Sequence, residues 1–534
     1  MKYLRVHARV SMQAPAVAIA DQTQHACEVL NLSVGGALLV GDALPVDAAL
    51  DLQLHVGGAE PLALRAQVVR RETLPDGRPA VAVAFQDVTP QLETRLAQAV
   101  TDGFKSLGAR VLGLVRGELQ RSGVTDVAAV AEALHRIKEE QARSHLFSAD
   151  LYTEKGSDTV ATIVSSTTGQ RRECVVWSLN LYLGLNRNPN VLEKTRAVLA
   201  RYGTGCGTSA ASGGLSTLHW QISQRVARMV GKEQALVFPT GYSANLGALS
   251  ALPGPKDLVL LDREAHASML DGVRLSGKKW LAFKHNDVDD LAEKLRRYAP
   301  HHENVFVAVE SAYSMSGDLA PLEAIAALKK HHRFFLYVDE AHTFGFYGEG
   351  GRGYCHQLGV SDQVDFIMST FSKATASIGG FVAADAKFCT LLQASATPYI
   401  FQACLSPPDA GAILASLDEI EQNPSLAQTL HENNRVMREQ LVRAGFDLGK
   451  SQSPVIPVYV PDLEKLYRLC SQLYLDGIYS VPVVYPAVGV SEGRIRFIVN
   501  ASHTRAQIDR TVSALVNHAR TLGILRSGTE STRP

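Results

Sequence analysis

The sequence predicts an α/β protein. A large domain built on a mostly parallel sheet is followed by a small α+β piece and preceded by a small all-β barrel. Three observations carry this reading. After Gly156, short apolar runs alternate with helix-patterned segments, the pattern of a parallel sheet covered on both faces. Before Val88 the chain gives six short β-rich runs, spaced as in a small antiparallel barrel. Polar residues follow several of the later apolar runs, at the strand ends where open α/β sheets place ligands.

At 534 residues the chain is too long for one ordinary core, so several domains are expected. We divide it into a barrel over 1–100, a helical linker over 101–150 and an α/β unit over 151–534. Lys+Arg and Asp+Glu both total 53, which leaves no bulk electrostatic pull toward nucleic acid. No apolar run is long enough to span a membrane, and Met1 to Arg9 lacks the apolar core of a signal peptide. The 7 cysteines include no C-x-x-C pair, so reduced thiols in a cytoplasmic protein are expected, and no metal site.

The barrel runs are Ala16–Ala20, Cys27–Leu32, Ala37–Val40, Ala49–Val56, Leu62–Arg70 and Ala80–Phe85, punctuated at Gly35-Gly36, Gly57-Gly58 and Pro75-Asp76-Gly77. Arg5 and Arg9 form R-x-x-x-R just ahead of them, and Asn31, Ser33 and Gly36 form N-x-S-x-x-G between two of them. Together these motifs resemble a PilZ domain, whose family ligand is cyclic di-GMP. Guanidiniums suit bidentate contacts to phosphate and guanine edges, Asn and Ser supply hydrogen bonds, and Gly36 permits close backbone approach. The resemblance implies a cyclic di-GMP site of Arg5, Arg9, Asn31, Ser33 and Gly36. Farther on, Val130, Leu134 and Ile137 recur at helical spacing, which reads as an entry helix packed on the α/β unit.

In that unit the strands are placed at Leu236–Phe238, Leu258–Leu261, Trp280–Phe283, Val305–Val309, Leu336–Val338, Phe366–Ser369 and Phe381–Ala384. Intervening helices include Asn286–Tyr298, with Asn286 as cap, and Pro321–His332, with Pro in the first turn. The organising stretch is Phe334 to Lys373. One strand delivers Asp339-Glu340-Ala341-His342 to the sheet's carboxyl edge, and the next delivers Thr370-Phe371-Ser372-Lys373. An acid, an imidazole and an amine at one edge suit pyridoxal phosphate (PLP), an aldehyde with a basic ring nitrogen. Thr240-Gly241-Tyr242-Ser243-Ala244-Asn245 follows a strand and opens a helix, so its amides suit a phosphate. His266 follows a second strand, and Glu310, Ser314 and Gly317 a third.

Asn180-Leu181-Tyr182-Leu183-Gly184-Leu185, Tyr202-Gly203-Thr204-Gly205, Gly241-Tyr242-Ser243-Ala244-Asn245, His266-Ala267-Ser268, Asp339-Glu340-Ala341-His342, Thr370-Phe371-Ser372-Lys373 and Arg496 with Ala501-Ser502-His503-Thr504 resemble, in this order, the α-oxoamine synthases. These are PLP enzymes of fold type I, and the likeness runs from about Leu151 to Leu522. It implies that Lys373 binds PLP covalently and then serves as base, and that Asp339 pairs with the pyridine nitrogen. His342 would face the phenolic oxygen and His266 the ring. Ser314 and Thr370 match positions near the phenolic oxygen and phosphate, Gly241 and Tyr242 line the cofactor, and Asn180 and Arg496 lie near substrate. Arg496 is the carboxylate clamp; Arg494 is set on the strand's opposite face with a structural role.

The implied reaction is a decarboxylative Claisen condensation of a small amino acid with an acyl thioester of CoA or an acyl carrier protein, in a homodimer, tuned by cyclic di-GMP. Two rivals stand beside it: PLP-dependent aminotransfer or side-chain cleavage, and a cyclic di-GMP signalling module with a non-catalytic scaffold. The chain departs from the family at Gly207-Thr208-Ser209-Ala210, which lacks the Arg of G-S-R, at His219-Trp220-Gln221-Ile222-Ser223, which lacks the acid of H-x-x-L-E, and at Ala374-Thr375-Ala376, which lacks an aromatic. These departures bear on the acyl donor.

Overall fold

The computed structural model describes residues 10–20, 23–33, 36–41, 49–55, 61–73, 78–89, 123–143, 151–166, 169–485, 487–489 and 491–525, with isolated positions between 92 and 119. Strands β1 (Val10–Ala20), β2 (Thr23–Ser33), β3 (Gly36–Val40), β4 (Ala49–Leu54), β5 (Leu62–Thr73) and β6 (Pro79–Gln86) close into a barrel in the order β1-β2-β3-β6-β5-β4. Alternation drives this: Leu50, Leu52 and Leu54 point inward while Ala49, Asp51 and Gln53 face out.

Helix α1 (Val127–Arg143) corrects one expectation. Ala133 and Ile137, with the partly buried Val130 and Leu134, join the barrel's own core cluster. A stripe repeating every three to four residues needs an apolar partner. Here that partner is the barrel interior with Leu96, Leu119 and Val124, rather than the α/β unit.

The α/β unit holds β7 (Leu151–Thr153), β8 (Val160–Ser165), β9 (Arg171–Val176), β10 (Gln234–Phe238), β11 (Leu258–Asp262), β12 (Lys279–Phe283), β13 (Val305–Glu310), β14 (Phe335–Asp339), β15 (Phe366–Thr370), β16 (Gly380–Ala384), β17 (Val455–Tyr459), β18 (Ile478–Tyr479), β19 (Pro482–Val483) and β20 (Arg494–Ile498). The main sheet runs β10-β16-β15-β14-β13-β11-β12, and β16 lies antiparallel to both of its neighbours. Successive residues feed opposite core layers. Leu258, Val307 and Val338 join one cluster while Val259, Phe306 and Tyr337 join the other, so the strands are apolar throughout because both faces are covered.

The C-terminal piece contains the sheet β17-β20-β19 and also reclaims the segment before the main sheet: β18 pairs with β9 in a second sheet with β8 and β7. Two local expectations are corrected. The helix Val288–Tyr298 is capped by Asp287, whose carboxylate accepts from Asp290 N. Asn286 sits at φ 51 and turns its amide to Asp318 and Leu319 instead. Pro321 is the N-cap of a short helix, Leu322–Ala327, rather than its first residue. Among the described residues no helix is long and apolar enough to cross a membrane, and all seven cysteines are free.

Candidate active site

β13, β14 and β15 end side by side, with Glu310 in register with Asp339. Their carboxyl ends and the helix α2 (Gly241–Ala251) after β10 enclose a cavity of about 290 Å³, lined by Gly241, Tyr242, His266, Asp339, His342, Thr370 and Lys373 together with Asn245, Ser268 and Glu310.

Asp339 is 3% exposed. Its Oδ1 accepts from Ala341 N at 2.8 Å and its Oδ2 from Asn245 Nδ2 at 2.7 Å. Asn245 is held in turn: its Oδ1 accepts from the Tyr337 hydroxyl at 2.8 Å, and its amide also reaches Ser268 Oγ at 3.0 Å. A buried carboxylate fixed from two sides is a preorganised partner for a cation. Lys373 is half-buried at the wall. Burial depresses its amine to about 8, against the pull of the Asp339 and Glu310 carboxyls and with help from Arg496. Glu310 is 2% exposed, and burial beside Asp339 raises its carboxyl well above the usual range. Among the described residues its Oε1 has no hydrogen-bond partner.

His266 caps the helix α3 (Ala267–Ser276), its Nδ1 accepting from Ser268 N at 3.3 Å. Burial lowers its pKa. His342 is buried, its Nδ1 lies 2.6 Å from the Tyr182 hydroxyl, and burial with the nearby Lys373 and Arg496 charges holds it well below the ordinary histidine value. At the mouth of α2, Thr240 Oγ1 accepts from Ser243 N at 2.9 Å. The first-turn amides of Gly241 and Tyr242 lie outside the helix's own ladder, at the cavity wall. A Cβ on Gly241 would stand 2.7 Å from Thr370 Oγ1, so the glycine lets the start of α2 pack directly against Thr370. Thr370 Oγ1 donates to Gly379 O at 2.9 Å. Tyr242 is exposed and donates to Asp271.

Ser314, Asn180 and Arg496 are not among the residues lining this cavity. Ser314 offers its carbonyl to Arg496 Nη1 at 2.6 Å, and Arg496 is near enough for its charge to act on Lys373, His342 and His266. Asn180 Oδ1 is buried and, among the described residues, without a partner. Arg494 has the expected structural role, bonding Tyr459, Met315 O and Glu492. The assignment of faces is corrected, because residues two apart on a strand share a face and both arginines reach the Ser314-Met315 backbone. At the family departure, Ser223 donates to Ala235 O, and His219 Nε2 meets Leu405 O at 2.9 Å.

On the barrel, Arg5 and Arg9 lie outside the described residues. Asn31 and Ser33 fall in β2 and Gly36 opens β3, where a Cβ would stand 2.2 Å from Val83 O. Sequence reasoning left Asn245, Ser268, Glu310 and Tyr182 out of the site. Asn245 was within reach, standing one helical turn after Gly241. Glu310 announced itself only as a polar strand end.

The residues fit PLP. The cavity offers an amine of depressed basicity, a carboxylate fixed for a cationic ring nitrogen, two helix-start amides at its wall and a Glu310 oxygen without a partner among the described residues. Fold and cavity together define a PLP-dependent enzyme of fold type I. Residues 172–515 match the family model "Aminotransferase class I and II", and residues 3–102 match "PilZ domain". A serine palmitoyltransferase of Sphingobacterium spiritivorum is 37% identical over 345 residues, covering 65% of this chain and 86% of that one. An 8-amino-7-oxononanoate synthase of Symbiobacterium thermophilum is 35% identical over 354 residues, covering 66% and 90%. A solved serine palmitoyltransferase from S. paucimobilis, with a bound PLP–myriocin aldimine, superposes with TM-score 0.71 at 29% identity, over 75% of this chain and all of that one. The chain belongs to the class I and II aminotransferase family, in its α-oxoamine synthase branch: it is a PLP-dependent C-acyltransferase behind an N-terminal PilZ domain.

Proposed function

We propose that the enzyme condenses a small amino acid, L-serine first among candidates, with a long-chain acyl thioester of CoA or an acyl carrier protein. Carbon dioxide and the free thiol leave, and an α-aminoketone results. The observation that carries this reading is the convergence of Lys373, Asp339, His266 and His342 on one cavity. The identity to serine palmitoyltransferases supports serine and a palmitoyl-length chain.

PLP, when bound, supplies an electron sink that makes the amino acid's Cα–H acidic and accepts the electrons released with carbon dioxide. Lys373 would hold the cofactor and would take the Cα proton of the bound amino acid; a pKa of about 8 suits a base working near neutrality. Asp339 would keep the pyridine nitrogen protonated. His342 would donate to the phenolic oxygen and His266 would cover the ring. The Gly241 and Tyr242 amides would bind the phosphate, joined by the Thr370 hydroxyl if its proton turns from Gly379 O, and Ser314 sets Arg496 through its carbonyl. Arg496 clamps the amino acid carboxylate, with Asn180 beside the substrate. A panel of amino acids crossed with acyl thioesters, read by mass spectrometry, tests this. Serine with palmitoyl-CoA should give the aminoketone and Lys373→Ala should not. Amino transfer to an oxoacid without thioester would refute the reading.

We further propose that the PilZ domain binds cyclic di-GMP through Arg5, Arg9, Asn31, Ser33 and Gly36, and that the enzyme works as a cytoplasmic homodimer. The family match over residues 3–102 supports the first part; the seven free thiols support the compartment. Calorimetry with cyclic di-GMP should give a binding isotherm that Arg9→Ala abolishes; equal heats from both proteins would count against it.

A further inference from the structure

Tyr182 is fully buried, lies outside the cavity wall, hydrogen-bonds His342 and lies near enough to Arg496 for the two to interact electrostatically. We propose that Tyr182 is a positioning residue: it fixes His342 as the Nε2–H tautomer and ties that imidazole to the part of the chain that carries Arg496. This rests on the reading that His342 faces the cofactor.

The tautomer follows from the geometry. The phenol oxygen and His342 Nδ1 are 2.6 Å apart. Burial pushes the Tyr182 hydroxyl well above its ordinary pKa and holds His342 well below its own, so a neutral phenol faces a neutral imidazole. The phenol donates, Nδ1 accepts, and the single ring proton stays on Nε2. The mounting of Tyr182 gives the second half. Tyr182 O accepts from Ala501 N at 2.7 Å, Leu181 O from Asn500 Nδ2 at 3.0 Å, and Trp177 O from Ile498 N at 2.7 Å. Trp177 stacks on His503 with ring centroids 3.9 Å apart. Gly184, at φ 67, leaves the space that Ser502 Oγ fills. Asn500 to His503 continue directly from β20, and β20 carries Arg496. The anchor of the imidazole and the guanidinium proposed to hold the substrate carboxylate are therefore one packed body, while His342 stands on the main sheet after β14. Any shift that carries Arg496 toward substrate carries the Tyr182 hydroxyl with it.

The test uses the holoenzyme and the pH titration of its visible cofactor band, a readout separate from turnover. Tyr182→Phe keeps the ring packed on Phe346, 4.6 Å between centroids, and removes only the donor. A hydrogen bond to the phenolic oxygen favours its ionised form, so losing control of the tautomer should raise the band's apparent pKa by about one unit. The double variant with His342→Asn should shift no further than His342→Asn alone. A band that titrates as wild type in Tyr182→Phe, yet shifts in His342→Asn, would overturn the proposal and leave Tyr182 a packing residue. No shift in either would remove the reading of His342 itself. Asn500→Ala offers a second route that spares the phenol. It should raise both the band's pKa and the KM for amino acid, and unchanged values of both would contradict the coupling.

Discussion

Lys373 offers the sharpest quantitative expectation, because only its neutral amine can attack the PLP aldehyde. An ordinary lysine of pKa near 10.4 is neutral in roughly 0.04% of molecules at pH 7. Burial brings Lys373 to about 8, which raises that fraction to roughly 9%, a gain of about 200-fold. The assay is the rate at which apo-enzyme takes up PLP, followed by visible absorbance and normalised to the rate constant of PLP with the neutral form of a free amine. The normalised rate should climb about tenfold per pH unit below 8 and level off above it. The neighbouring charges set the direction of two variants. Asp339 favours the ammonium and Arg496 disfavours it, so Asp339→Asn should lower the midpoint and Arg496→Gln should raise it. Linkage gives a parallel sign for the apo-protein. Between about 8 and 10.5 the unfolded chain holds a proton the folded one has lost, so stability rises with pH across that window. Below it the cost of burying the ammonium is fully present. A rate still climbing tenfold per unit at pH 9 to 10, or variants that shift the midpoint the opposite way, would refute the reasoning.

Three further expectations test other parts. Asn245→Leu deletes the donor to Asp339 Oδ2; a hydrogen bond to a charged group contributes about 1.5–3 kcal/mol, so PLP affinity measured by absorbance titration should fall by roughly 10- to 150-fold. Gly241→Ala puts a Cβ 2.7 Å from the Cβ and Oγ1 of buried Thr370, and should weaken PLP binding and also lower the stability of the apo-protein by about 1–3 kcal/mol in denaturant unfolding. Trp177→Ala empties a fully buried site, removes the stacking on His503 and the bond to Thr511 Oγ1, and should cost about 3–5 kcal/mol in denaturant unfolding.

The main sheet was legible because strands buried on both faces are short unbroken apolar runs, and Leu258–Asp262 or Phe366–Thr370 admit little else. The convergence of Gly241, His266, Asp339 and Lys373 was legible too, since each follows such a run directly. What escaped depends on contacts between residues far apart in sequence. The bond between Tyr182 and His342 spans 160 positions, and the motif around Tyr182 does not say which residue its hydroxyl meets. The return of β18 to pair with β9 is equally long in range. The periodicity of α1 fixed which face is buried but not against what, so its packing on the barrel had to come from the structure. Asn286 and Asp287 are both sound caps by residue type, and only the bonds from Asn286 to Asp318 and Leu319 decide between them.

The most direct test of the proposed condensation is release of label from serine labelled in its carboxyl carbon, incubated with the holoenzyme with and without palmitoyl-CoA. Labelled carbon dioxide should appear only when the thioester is present, one molecule for each free thiol formed, and Lys373→Ala should release none. Carbon dioxide released equally without thioester, or free thiol formed with no label released, would contradict decarboxylative condensation.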